Sequence, residues 1–85
     1  MHFLFIQTKH SFYDIPWALT EMGHIVSIFE EGTFNPLEYD SPVYEDIRQR
    51  IVENTFDFVI SYLFFPRISD ICEQLSVDYI SWTYD

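Results

Sequence analysis

The sequence predicts an α/β fold, a Rossmann-like three-layer arrangement with four parallel strands and helices on both faces, in the order β-α-β-α-β-α-β. Three observations carry this. Four short runs are dense in β-branched and aromatic residues, at 2–7, 24–29, 57–62 and 78–83. Between them lie three segments whose apolar residues recur at steps of three and four. Strand and helix alternate along the whole chain, which gives parallel pairing through right-handed crossovers.

The first and third strands, around Phe3-Leu4-Phe5-Ile6 and Phe58-Val59-Ile60, are nearly continuous in apolar residues. A parallel strand covered on both faces requires that. The second and fourth each carry a serine, Ser27 and Ser81, and are expected nearer the edges. In the first helical segment Phe12, Ile15, Leu19 and Met22 form one face. Pro16 is tolerated only in a first turn, so the helix starts near Asp14, and Gly23 stands where a left-handed terminator is expected. In the second, Ser41 is the cap candidate, Pro42 takes the first helical position, and Glu45 and Asp46 lie near the positive end of the dipole. Val43, Ile47 and Ile51, with Val52 beside them, form its buried stripe, and Asn54 lies near its end. The third opens at Pro66 and buries Ile68, Ile71, Cys72 and Leu75, with Asp70 near its N-terminus. The one long connection, 30–40, contains Gly32, Asn35 and Pro36. The expected strand order is 2-1-3-4, with 3-2-1-4 as the alternative. The first order places a topological switch between strands one and three, where open α/β sheets bind ligands at the carboxyl ends.

Composition narrows the function. The 85 residues suit one small domain, and 48 % hydrophobic and 20 % aromatic content rules out disorder. Four basic residues (Lys9, Arg48, Arg50, Arg67) face fourteen acidic ones, a net charge of −10. No basic stripe exists to replace counterions on phosphate, so nucleic acid is excluded as a partner, and an anionic membrane surface is disfavoured. Cys72 is the only cysteine, which leaves no disulfide framework or thiolate zinc site and is compatible with the cytoplasm. The opening apolar run is too short for a signal peptide, and no stretch approaches a membrane span.

The strand ends are where chemistry belongs. The loop after strand one, Thr8-Lys9-His10-Ser11, has no glycine, and the chain has only Gly23 and Gly32. A dinucleotide or P-loop site needs glycine for the turn and for close approach to phosphate, so no such cofactor is expected. A phosphoacceptor domain would need acids after strands one and three, where Gln7-Thr8 and Ser61-Tyr62 stand. His10 and Ser11 are sequence neighbours and read as a polar loop and helix cap. His2 and His24 precede strands while His10 follows one, so no metal site is expected. Cys72 lies on an apolar helix face, as an inert thiol does. The run Tyr62-Leu63-Phe64-Phe65-Pro66 puts three aromatics in a strand-to-helix loop, costly to leave in water. Trp82, Tyr84 and Asp85 end strand four with no polar cap after them.

At GHIVSIFEEG (23–32), FDFVISYLFFPRISDICEQL (56–75) and DYISWTYD (78–85) the chain resembles the N-terminal domain of unknown function attached to bacterial glycosyltransferases of the spore-maturation-protein type, whose fold is GT-B. The 56–75 stretch followed by the last eight residues is the more specific part. Two departures stand out: Leu63 occupies a position often held by Asn, and the small residue and proline that usually follow the final Asp are absent. The resemblance implies a truncated acceptor-side portion of such an enzyme, residues 1–85 as a single truncated domain, not catalytic alone. Its implied partners are a C-terminal nucleotide-sugar-binding domain and a sugar or glycan acceptor. The loops implied to face the cleft are Thr8, Lys9, His10 and Ser11; Ser61, Tyr62, Phe64 and Phe65; and Tyr84 and Asp85. No catalytic residue is carried over. A stand-alone interaction domain is the alternative. For the truncated domain, a weak homodimer through the strand-four edge or the Phe64-Phe65 loop is expected, as a way to cover its open edge.

Overall fold

A computed structural model describes residues 1–7, 14–30, 42–62 and 64–82. The elements are β1 (His2–Gln7), α1 (Asp14–Glu21), β2 (Ile25–Glu30), α2 (Val43–Glu53), β3 (Phe58–Tyr62), α3 (Pro66–Gln74) and β4 (Asp78–Trp82). The four strands pair in parallel in the order β2-β1-β3-β4. This is the 2-1-3-4 arrangement, and the alternative 3-2-1-4 is excluded. The second and fourth strands are the edges, as expected, although the central β3 carries a serine too, Ser61.

Register sorts the side chains. Phe5 lies between Ile28 and Ile60, and Leu4 between Ser27 and Val59. Strand alternation therefore sends Leu4, Ile6, Phe29 and Val59 to one face and Phe3, Phe5 and Ile60 to the other. On the first face α2 and α3 bring Tyr44, Ile47, Ile51, Ile68, Ile71 and Cys72 into a core with Phe56 and Phe65. Fully burying an aliphatic side chain of this size is worth about 1.5–3 kcal/mol, so this face dominates stability. On the second face, among the described residues, α1 packs Ile15 and Leu19 against Phe3, Phe5 and Ile60. A single helix about 10 Å across covers roughly two strands spaced about 4.8 Å apart. The edge residues Ile28 and Ile80 accordingly remain 36 % and 40 % exposed.

Two helix ends share one device. After α1, Gly23 N–H donates to Thr20 O at 3.0 Å and His24 N–H to Leu19 O at 3.1 Å. After α3, Ser76 N–H donates to Glu73 O at 3.2 Å and Val77 N–H to Cys72 O at 2.9 Å. Both are Schellman closures with a left-handed residue, Gly23 at φ +91 and Ser76 at φ +58. Gly23 fills its position at little steric cost, whereas Ser76 holds the same conformation with a Cβ.

Several sequence expectations need correction. Met22 is exposed because α1 ends at Glu21 and the chain is already turning. Val52 faces solvent, and the stripe of α2 is Tyr44, Ile47 and Ile51, one turn apart on the inner side. Pro42 stands at the cap position, one residue earlier than expected, with α2 starting at Val43. Asp70 lies beyond the first turn of α3. Phe12, Ser41 and the side chain of Trp82 lie outside the described residues.

At the amino edge of the sheet, His2 ties three segments together. Its ring nitrogens lie 2.9 Å from Thr55 O and 2.9 Å from Ser27 Oγ. The His2 N–H donates to Asp57 Oδ2 at 2.8 Å, and the ring lies 4.4 Å from that of Phe56. This histidine fastens the turn that enters β3.

Candidate functional site

The 2-1-3-4 order puts the switch between β1 and β3, so the candidate site lies at their carboxyl ends. Gln7, the last residue of β1, and Ser61, the last but one of β3, lie there, and both are buried. Ser61 is fully enclosed, and its hydroxyl shares a short hydrogen bond with the hydroxyl of Tyr79. The same Tyr79 oxygen accepts the N–H of Phe65 at 3.2 Å. One tyrosine from β4 thus ties the end of β3 to the first residue before α3. Burial pushes the Tyr79 phenol upward in pKa, partly offset by these two hydrogen bonds, so it stays protonated around neutral pH.

The aromatic loop divides into an inner and an outer part. Phe65 is in the core between Ile68 and the sheet. The neighbouring Phe64 is 54 % exposed, its ring 5.9 Å from that of Tyr79. Tyr62 is half-buried. A cleft of about 240 Å³ runs beside Phe64 and Tyr79, bounded by Ser69, Glu73, Asp78 and Ser81.

Of the ten residues expected at the cleft, four are described. Tyr62 and Phe64 reach the surface at the carboxyl edge. Ser61 and Phe65 do not: they support the loop from beneath and offer no surface to a ligand. Thr8, Lys9, His10 and Ser11, and Tyr84 and Asp85, lie outside the described residues, as does Leu63. Tyr79 was missed. The signal for it is Ser61, a hydroxyl inside an apolar strand, which demands a buried partner.

Chemically, the described part of this edge offers rings and hydroxyls. Cys72 is enclosed on α3, and burial pushes its thiol up to about 11, so no thiolate is present at neutral pH. His2 and His24 are at the opposite end of the sheet from this edge. Among the described residues no group of three or more His, Cys, Asp or Glu could hold a metal ion, and no helix is long and apolar enough to cross a membrane. Compared with known proteins, the chain matches no family model, no curated protein and no solved structure.

Proposed function

We propose that this chain is the acceptor-side N-terminal portion of a bacterial, cytoplasmic GT-B glycosyltransferase, and that it does not transfer sugar by itself. The donor nucleotide-sugar would be held by a C-terminal domain that these 85 residues do not include. The observation that carries the reading is the position of Phe64. The segment with the most specific resemblance, 56–75, builds β3, the loop after it and α3. Its one strongly exposed ring stands past the carboxyl end of β3, on the β4 side, braced by Tyr79. An exposed ring on a rigid base is the kind of surface on which the apolar face of a sugar stacks.

Calorimetric titration with uridine- and guanosine-diphosphate sugars is expected to give no saturable heat. A micromolar site for any of them would overturn the half-domain reading. A stand-alone interaction domain is the second reading, favoured by Trp17 and Ile25, each 67 % exposed.

A further inference from the structure

The outer edge of β4 is a row of backbone groups that neither the core nor the proposed sugar surface uses. No described strand lies beyond β4 in the sheet. Ile25 N–H donates to Met1 O at 2.9 Å, which turns the backbones of the odd-numbered residues of β1 and β2 toward each other. Backbone direction alternates along each strand, and the registers carry that alternation across the sheet. Leu4 and Ile6 therefore face β3, and Val59 and Ser61 face β4. The N–H and C=O of Tyr79 and Ser81 then point outward, away from the sheet. Such an edge is a template for pairing with an extended segment.

We infer that this edge takes up an extended basic segment of a partner protein by strand addition, with a Lys or Arg side chain seated in the cleft beside Phe64. Strand addition draws affinity from main-chain hydrogen bonds and specificity from pockets that receive alternate side chains. The cleft of about 240 Å³ lies where one set of those side chains falls. Tyr79 packs on the α3 face of β4, Ser81 follows it on the same face, and both line the cleft. The other set falls on the opposite face, where Ile80 is exposed. The segment that fits therefore alternates basic with apolar.

Charge fixes the chemistry of the partner. No Lys, Arg or His lines the cleft, whereas Glu73 of α3 does, with Asp78 at the start of β4. The exposed Phe64 ring stands beside them, 5.9 Å from the ring of Tyr79. A Lys or Arg stem can lie along that ring and bring its cationic head to the ring face and the Glu73 carboxylate. The net charge of −10 draws in a basic segment and repels an acidic one. It also opposes a second copy at this edge, since Glu73 and Asp78 would meet their own duplicates across a two-fold joint. The groove beside β2 has no charged residue in its lining and gives a basic segment nothing to pair with.

The docking edge shares only Phe64 with the glycosyltransferase reading and does not rest on it. NMR titration of the isotope-labelled chain with the synthetic peptide acetyl-Val-Arg-Val-Arg-Val-Arg-amide tests it. Saturable shifts are expected at the amides of Tyr79 and Ser81, and none at those of Val26 and Ile28. Phe64→Ala is expected to weaken binding about tenfold and Glu73→Gln at least about threefold, and added salt to weaken it further. Ser81→Pro removes an outward N–H at an edge position, where proline is tolerated, and is expected to abolish binding. Circular dichroism melts establish that each variant is folded. A fully N-methylated copy of the peptide keeps the charge, loses every amide donor and is expected not to bind. That peptide decides the matter if Ser81→Pro does not fold. Equal binding of the N-methylated peptide, unchanged binding by Glu73→Gln, or shifts at β2 or at neither edge would each overturn the proposal. Concentration-dependent shifts at Tyr79 and Ser81 without peptide would also overturn it, by making a second copy the occupant.

Discussion

The α3–β4 half and the α1–β2 half are built from the same parts, a helix closed by a Schellman motif running into an edge strand, and they end up opposite in character. In the α3–β4 half, Ile68, Ile71 and Cys72 are fully enclosed, and Tyr79 turns inward to serve Ser61 and Phe65. In the α1–β2 half, Pro16 is the only buried residue of the helix, and Trp17, Met22, Ile25 and Ile28 face water. The cause is layer geometry. Among the described residues, two helices share the face over Leu4, Ile6 and Val59, while the other face is packed by the eight residues of α1. A shared face stabilises the fold.

That contrast can be broken by core truncation. Ile71→Ala is expected to cost about 3 kcal/mol, within the usual 2–5 for an enclosed aliphatic. Leu19→Ala, at a half-buried position in the open half, is expected to cost about half as much. Urea melts read both, and equal losses would mean that the two halves are equally packed.

Cys72 probes the closed half through pH. Its thiol is raised to about 11 in the fold from an ordinary value near 9.0. The folded state therefore holds its proton where the unfolded chain has lost it. The resulting stabilisation is complete below about pH 9 and declines as pH rises through about 11, by roughly 2–3 kcal/mol in all. Cys72→Ala is expected to flatten that decline in urea melts taken at successive pH values. An unchanged slope would mean that the thiol is not enclosed.

Tyr79→Phe removes the shared hydroxyl from Ser61 and Phe65. A loss of about 1–2 kcal/mol is expected from urea melts, because two hydrogen bonds at buried groups are lost. A neutral result would mean that the loop is not braced from β4.

The smallest effects separate the two helix ends, and they have opposite signs. A Cβ at Gly23 meets nothing within 4 Å, so Gly23→Ala costs only its left-handed backbone, about 1 kcal/mol. Ser76→Gly relieves that same strain after α3 and is expected to raise stability by about 0.5–1 kcal/mol, net of glycine's entropy. Thermal melts of the two variants should shift in opposite directions.

Much of this was legible in the sequence, and the gaps have physical reasons. Nearly continuous apolar runs mark β1 and β3 as central because a strand covered on both faces has little room for polar side chains; a serine alone does not mark an edge, since Ser61 lies enclosed in β3. Gly23 and Pro66 place two helix boundaries through backbone conformation alone. Met22 and Val52 were misjudged because periodicity cannot say where a helix stops, and one residue of drift moves a side chain by 100° around the axis. Phe65 looked like a cleft residue because it sits in a loop. It is buried because the residue just before a helix can turn into the core that the helix covers. Tyr79 is a matter of register, which places it diagonally across from Ser61, and no local pattern in β4 announces that.

The direct test of the two-halves account is amide hydrogen exchange followed by NMR on the folded chain. The amides of Ile71 and Cys72 in α3 are expected to exchange at least about tenfold more slowly than those of Ala18 and Leu19 in α1, because α3 packs Ile68, Ile71 and Cys72 into the shared core. Equal protection in the two helices, or slower exchange in α1, would contradict it.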